Sequence, residues 1–232
     1  MTSKGILRNR EKCTVCGICA AACPNKVIEK IGREYEAEEI ALLVSRDRGF
    51  YETSGGGVTV SGGEPTVQAS FLFDLLIKLK ALGIHTAVET CGYFNTDSFE
   101  KLQTFSDLIL FDLKHSDPVK HREYIGTSNE RILENFSQFV EKIGSKRIIP
   151  RIPVIPGFNA DAKSMHGILS FLKESAYKGP VHLMPYNRMA KTKYVKIGRG
   201  CDYRDMGELT DAIKTEINGM VESYGYEPVF NQ

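Results

Sequence analysis

Ser54-Gly55-Gly56-Gly57-Val58-Thr59-Val60-Ser61-Gly62-Gly63-Glu64-Pro65 is the stretch on which the fold turns. Three β-branched residues stand between glycines, so a short strand is expected at 57–61, closed at its C-terminal end by Gly-Gly-Glu-Pro. Glycines at a strand end let a ligand approach the backbone closely, and N–H and C=O groups there can bind a zwitterion. A bare Gly-Gly pair is also a common turn. Neither Gly-x-Gly-x-x-Gly nor Gly-x4-Gly-Lys occurs in the chain, which excludes a dinucleotide fingerprint and a P-loop on spacing.

Further strands are expected at 84–89, 108–113, 147–155 and 181–185. Between them Phe71, Leu72, Leu75, Leu76, Leu79 and Leu82 recur at helical spacing before Gly83. Ile132, Leu133, Phe136, Phe139, Val140 and Ile143 do the same before Gly144. Asp161 or Ser164 can start a helix through Leu172, and 203–224 reads as a long final helix. Strand–helix alternation of this kind gives a parallel α/β sheet, and periodicity alone leaves open doubly wound and barrel arrangements alike. In both, ligands bind at the carboxyl ends of the strands. That directs attention to 61–65, 89–93, 112–115, 151–159 and 185–188.

The 232 residues carry 30 Lys or Arg against 29 Asp or Glu, a net charge of +1. This balance offers no electrostatic footprint for nucleic acid or an anionic membrane. No apolar run approaches the roughly 20 residues of a membrane span, and no signal-peptide pattern opens the chain. With 42% hydrophobic and 25% charged residues, the composition is that of a globular protein.

Four of the six cysteines fall in one run, Cys13-x2-Cys16-x2-Cys19-x3-Cys23-Pro24. This is the ligand run of bacterial ferredoxins, where closely spaced thiolates converge on one Fe4S4 cube. Zinc sites usually pair two separated Cys-x2-Cys hooks, and no second hook or histidine pair is present. Four cysteines this close do not readily close two unstrained disulfides. In two-cluster ferredoxins the fourth cysteine of a run serves the other cluster, so Cys23 lacks three partners here, and the expected explanation is a second run upstream of Met1. Cys91 and Cys201 read as packing or surface thiols, and the five histidines are too scattered for a metal cluster. A small module is therefore expected at 1–32 and a larger domain at 33–232.

SGGGVTVSGGEP, GIHTAVETCGY, FDLKH, RIPVIPGFN and HLMPYN, in this order, resemble the activating enzymes of glycyl radical enzymes. These are radical S-adenosylmethionine proteins of the pyruvate formate-lyase activating type. The resemblance extends from the ferredoxin run to YGYEPVF, and the cysteine run resembles that of the ferredoxin-insert subgroup. It implies a partial parallel (β/α) barrel, of which about five strands are expected here where the family has six, with a ferredoxin-like 4Fe-4S module bound by Cys13, Cys16, Cys19 and Cys23.

The resemblance also implies a cofactor site. Gly62, Gly63, Glu64 and Pro65 match the segment that holds the methionine amino group of S-adenosylmethionine. Glu89 and Thr90 match an acidic residue and a hydroxyl near the cofactor. Asp112, Leu113 and Lys114 match the family's Asp-Leu-Lys, with Lys114 facing the cofactor carboxylate. Arg151 falls in a strand where its charge needs an acceptor. Asn187 matches the position that contacts the adenosine end. Each has a plainer reading: Glu64 as a helix cap, Asp112–Lys114 as a surface ion pair, Arg151 as a partner of loop carbonyls.

The implied activity is reductive cleavage of S-adenosylmethionine to a 5′-deoxyadenosyl radical that takes hydrogen from a glycine of a partner glycyl radical enzyme. An electron donor such as flavodoxin or ferredoxin and a reducing cytoplasm are implied with it, and neither nucleic acid nor membrane. In the family a Cys-x3-Cys-x2-Cys loop after the first strand binds the catalytic cluster. These 232 residues contain no such spacing. No catalytic cysteine is therefore assigned, a missing N-terminal portion is expected, and activity of this chain alone is expected to be impaired. The alternative is a non-catalytic iron–sulfur or partner-binding module on the same scaffold.

Overall fold

A computed structural model describes residue 9, residues 11–30 and residues 32–230. Residues 1–8, 10 and 31, part of the expected 1–32 module, lie outside the described residues. The chain divides after Glu36 into two compact units. Among its described residues the first holds one short helix, α1 (Ile18–Ala21), entered through Gly17 at a left-handed φ of 83°.

The second unit alternates helix and strand. It opens with α2 (Ala37–Ser45), α3 (Arg48–Ser54), β1 (Val58–Val60) and, after a 3-10 turn at Pro65–Gln68, α4 (Ala69–Ala81). β2 (Thr86–Thr90), α5 (Thr96–Phe105), β3 (Leu108–Asp112), α6 (Pro118–Ile125) and α7 (Glu130–Ile143) follow. Then come β4 (Ile148–Val154), α8 (Ala162–Glu174), β5 (Val181–Pro185), α9 (Ala190–Lys196), α10 (Asp211–Ser223) and β6 (Pro228–Phe230).

All strands are parallel and lie side by side in chain order, β1 through β6. A doubly wound sheet reverses its strand order at a switch point. This sheet does not, so each crossover returns over the same face, as in a barrel. The arrangement is an incomplete parallel α/β barrel. β1–β5 fall on the five expected segments and β6 adds a sixth strand. It is only three residues long, too short to show a period, and begins with a proline that an edge strand tolerates. The final helix is shorter than the expected 203–224. Gly207 turns the chain with φ 94°, and the Thr210 hydroxyl then caps Ile213 N–H at 3.4 Å, so helix begins only at Asp211.

The two faces of the sheet differ. Ile109, Phe111, Ile148, Ile152, Val181 and Leu183 are at most 1% exposed and pack under the helices. Phe111 meets Phe136 of α7 edge-on at 5.3 Å, and Phe139 stacks tilted on Phe99 of α5 at 4.3 Å. Their neighbours Glu89, Leu110, Asp112, Arg151 and His182, one step out of phase, are half-buried on the other face. A second core joins Ala37 and Ala41 of α2 to Leu75 and Leu79 of α4.

Gly92, just past β2, sits at φ 77°, and a Cβ there would lie 2.1 Å from the Phe111 ring. Gly92→Ala is expected to lower stability by about 2–4 kcal/mol, combining left-handed strain with overpacking. Urea unfolding checks this; a shift below 1 kcal/mol would mean that the ring moves aside freely.

Candidate functional site

Strand register assembles a row of charges on the half-buried face of the sheet. Asp112 of β3 pairs with Arg151 of β4, and Arg151 with His182 of β5. Glu89 of β2 pairs with Leu110, one inward-facing position earlier on β3. Arg151 Nη1 contacts Glu89 Oε2 at 2.8 Å, and the Ser61 hydroxyl donates to the same oxygen at 3.0 Å. Lys114 Nζ contacts Asp112 Oδ2 at 3.3 Å, with both side chains about one quarter exposed. Burial pushes the Asp112 carboxyl above the usual range and Glu89 adds to this, against the opposing pull of Lys114 and Arg151. Burial also lowers His182, and the neighbouring Arg151 charge lowers it further.

Arg151 Nε is buried and has no hydrogen-bond partner. A buried guanidinium N–H without an acceptor costs free energy, so an anionic or carbonyl group from a ligand would relieve it. Two cations and two carboxylates within one strand-end cluster match a zwitterion carrying an ammonium and a carboxylate.

The Gly-Gly-Glu-Pro segment divides in two. Gly62 has φ 139°, a backbone state reserved to glycine, and both Gly62 and Gly63 are exposed at the end of β1. Pro65 opens the 3-10 turn. Glu64 is occupied within the protein. It accepts from Thr66 N–H at 3.2 Å, the Thr66 hydroxyl at 2.7 Å, the Thr90 hydroxyl at 2.9 Å and Cys91 N–H at 2.8 Å. It both caps the turn, as its plainer reading has it, and ties the end of β1 to the end of β2. Thr90 shares the register of Phe111 and is 2% exposed, so it braces Glu64 on the helix side of the sheet. Burial pushes the Glu64 carboxyl up, but the Cys91 and Thr66 hydrogen bonds outweigh it and hold the group below the usual carboxylate range.

The remaining expected residues stand apart. Leu113 is 1% exposed and belongs to the core. Asn187 lies at the same edge of the sheet, two residues beyond β5, and its side-chain oxygen accepts from Met189 N–H at 3.1 Å in its own turn. The structure thus gathers Glu89, Asp112, Lys114 and Arg151, while Asn187 engages its own loop.

Two residues beyond the expected set also shape the site. Ser61 sits inside the opening stretch, and its hydroxyl anchors Glu89. Asn159, fully buried, donates to Lys114 C=O at 2.8 Å and Pro153 C=O at 2.7 Å and accepts from Ile155 N–H at 2.8 Å. It clamps the ends of β3 and β4 and so fixes where Lys114 begins. Its signals in the sequence were its place at the end of the 151–159 segment and of RIPVIPGFN, after Pro156-Gly157-Phe158, a turn in which asparagine is common. Cys91, on the other side of Glu64, is a half-buried thiol pushed up to about 11 by desolvation.

In the first unit all four cysteines of the run are free thiols. Among the described residues no three His, Cys, Asp or Glu side chains are gathered closely enough to hold a metal ion. Thiolates converge when a metal supplies the binding free energy. The donor set fits an Fe4S4 cluster nonetheless. Hydrogen bonds from backbone N–H groups, Ile18 foremost at Cys16 and Ile28 at Cys23, lower both thiols, and Val15 N–H reaches Cys13 Sγ at 3.4 Å. Bonds of this kind are what cluster-bound sulfurs accept.

Comparison with known proteins gives the chain's family. The sequence profile of the Radical SAM superfamily matches residues 10–166. The isethionate sulfite-lyase activating enzyme of Oleidesulfovibrio alaskensis is 36% identical over 216 residues, covering 92% of this chain and 68% of that protein. The trans-4-hydroxy-L-proline dehydratase activating enzyme of Clostridioides difficile is 34% identical over 97% of this chain and 84% of its own length. A crystal structure of a domain of pyruvate-formate lyase-activating enzyme from Bacteroides vulgatus superposes with a TM-score of 0.63 and 27% identity, covering 76% of this chain and 99% of that domain.

The Glu64 carboxylate should register in the acid stability of the protein. A group whose folded value is depressed stabilises fully above its unfolded value of ~4.3 and loses that contribution as pH falls through the folded value. Glu64→Gln is expected to lose roughly 1–3 kcal/mol at pH 7. The gap between the two proteins should narrow as pH falls below ~4.3. Urea titrations at pH 7 and in acid measure it, and a gap independent of pH would show that the ionised carboxylate is not what ties β1 to β2.

Proposed function

Because this chain belongs to the radical SAM superfamily, among the glycyl-radical-enzyme activating enzymes, we propose that the strand-end cluster binds S-adenosylmethionine for reductive cleavage. What supports this above all is Arg151, whose buried Nε–H has no acceptor in the protein and lies in a mixed-charge set suited to a zwitterion. Lys114 and Arg151 take the methionine carboxylate. The exposed backbone at Gly62 and Gly63 takes the ammonium, with Glu64, Pro65 and Thr90 holding that loop in shape. Glu89, fixed by Ser61, orients Arg151, and Asp112 orients Lys114. Leu113 anchors the Asp-Leu-Lys segment in the core, and Asn187 meets the adenosine end.

Cys13, Cys16, Cys19 and Cys23 hold an Fe4S4 cluster in a ferredoxin-like module at about residues 1–32, ahead of the barrel at 33–232. Bound iron–sulfur clusters supply single electrons. One electron opens the S–C5′ bond and leaves methionine and a 5′-deoxyadenosyl radical. The radical takes a hydrogen atom from a glycine Cα of a partner glycyl radical enzyme, giving 5′-deoxyadenosine and a glycyl radical. The outside donor is a flavodoxin or ferredoxin, and the setting a reducing cytoplasm. Among the described residues no helix is long and apolar enough to cross a membrane.

The 232 residues contain no Cys-x3-Cys-x2-Cys spacing, so by themselves they are impaired in turnover. The same observation favours the second reading, a non-catalytic iron–sulfur module, and one experiment separates the two. Anaerobic incubation with dithionite and S-adenosylmethionine is expected to give less than one 5′-deoxyadenosine per chain. Addition of a Cys-x3-Cys-x2-Cys segment ahead of residue 1 is expected to bring multiple turnovers. No turnover after that addition favours the second reading, and multiple turnovers without it overturn the impairment.

The binding site has its own test. By anaerobic calorimetry, Lys114→Met and Arg151→Met should each weaken S-adenosylmethionine at least about tenfold, the loss of one charge-assisted contact of roughly 1.5–3 kcal/mol. Unchanged affinity in both would remove these residues from the site.

A further inference from the structure

Beyond the strand-end cluster, a cavity of about 580 Å³ opens between α6 and the 186–206 segment that follows β5. Four tyrosines line it: Tyr124 of α6, Tyr186, Tyr194 of α9 and Tyr203. Three of their hydroxyls are engaged by the protein. Tyr124 OH donates to Gly157 C=O at 2.9 Å, Tyr186 and Tyr203 share a bond of 3.1 Å, and Met206 N–H reaches Tyr186 OH at 3.2 Å. The Tyr203 phenol is pushed up to about 12, first by that bond, so it stays neutral. With these hydroxyls engaged, the rings of the four tyrosines line the cavity beside the polar side chains of Glu123, Asp202 and Arg204. In the same two stretches of chain Ile125, Met189, Val195 and Ile197 are exposed, between 44% and 72%. Apolar side chains at this density mark a contact surface.

The same segment is strongly basic. Residues 186–206 hold six Lys or Arg against two Asp, in a chain whose net charge is +1. Arg188 and Arg199 are paired with Asp205 and Asp202. Lys191, Lys193 and Arg204 are exposed and in no ion pair among the described residues. Of the two carboxylates at the cavity, Asp202 is already bound by Arg199, which leaves Glu123.

We infer that this cavity is a docking site for an acidic protein segment that buries an aromatic side chain among the four tyrosines. Aromatic anchors in a desolvated pocket, with charges of opposite sign at the rim, are how interfaces concentrate affinity and steer approach. Tyr186 directly follows β5, so a segment held here comes in at the edge of the sheet that carries Arg151 and Lys114. Assigning the segment to the protein substrate rests on the activase function proposed above; the docking itself does not.

Fluorescence anisotropy on the intact 232-residue chain tests it with four labelled probes. These are a twelve-residue Glu-rich peptide with a central Phe, the same peptide with Phe→Ser, its Lys-rich counterpart with Phe, and an oligouridylate. The acidic Phe peptide is expected to bind at least tenfold tighter than the other three, and to weaken when salt rises from about 50 to 500 mM. Tyr194→Ser and the surface change Lys193→Glu should each weaken it at least fivefold, with circular dichroism unchanged. Equal or tighter binding of the Lys-rich peptide or of RNA overturns the inference, as does absence of binding or indifference to Lys193→Glu. The readout involves no S-adenosylmethionine, so a failed 5′-deoxyadenosine assay leaves it standing, and a failed peptide titration leaves the cofactor site standing.

Discussion

Six strands run in one direction and in chain order, and most of what the protein presents follows from that constraint. A parallel strand cannot be reached by a tight turn, so each connection must cross the sheet. With right-handed crossovers and no reversal of order, every crossover lands on one face. That face becomes a helix-covered apolar core centred on Phe111, Phe136 and Phe139. Within the second unit the opposite face, with Glu89, Asp112, Arg151 and His182 half-buried on it, is the open one. Every strand end arrives at the same edge, which is why 61–65, 89–91, 112–114 and 151–159 can meet although they span about one hundred residues.

On the open face the difficulty is charge. A half-buried guanidinium cannot shed its proton, so its surroundings must answer it. Glu89 does so through one nitrogen of Arg151, held by Ser61, and Nε is left over. Glu64 shows the opposite economy. All its accepting capacity goes to Thr66, Thr90 and Cys91, which fixes the loop carrying Gly62 and Gly63. One carboxylate shapes the backbone and another orients a cation, and this difference gives the edge both a rigid loop and an unanswered donor. Asn159 does for the β3 and β4 ends what Glu64 does for β1 and β2.

Much of this was legible in the sequence. The five strands from β1 to β5 announced themselves because β-branched runs bounded by glycine and charged turns have few other uses, α4 and α7 because their leucines and phenylalanines keep helical spacing, and α8 because Asp161 or Ser164 can start a helix. The family was legible in ordered segments such as Gly62-Gly63-Glu64-Pro65 and Asp112-Leu113-Lys114. β6 escaped because three residues carry no period. The start of α10 was misplaced because Gly207 and the Thr210 cap outweigh a run that otherwise reads as helix.

Sequence by itself determined which residues are chemically able to act: the carboxylates, the cations, the glycine pair at the end of β1 and the four thiols in ferredoxin spacing. Tertiary structure decided which of them meet. Glu64 and Glu89 look interchangeable along the chain, yet register turns one to Thr90 on the helix side and the other to Arg151 on the open face. Thr90 and Glu89 are adjacent and face opposite ways, because side chains alternate across a strand. Glu89 lies 62 residues from Arg151 and Lys114 lies 45 from Asn159, and only packing brings each pair within hydrogen-bond distance. A residue's chemistry is local, but its protonation and its partner depend on burial and on charges supplied by other strands, which no short stretch of sequence contains.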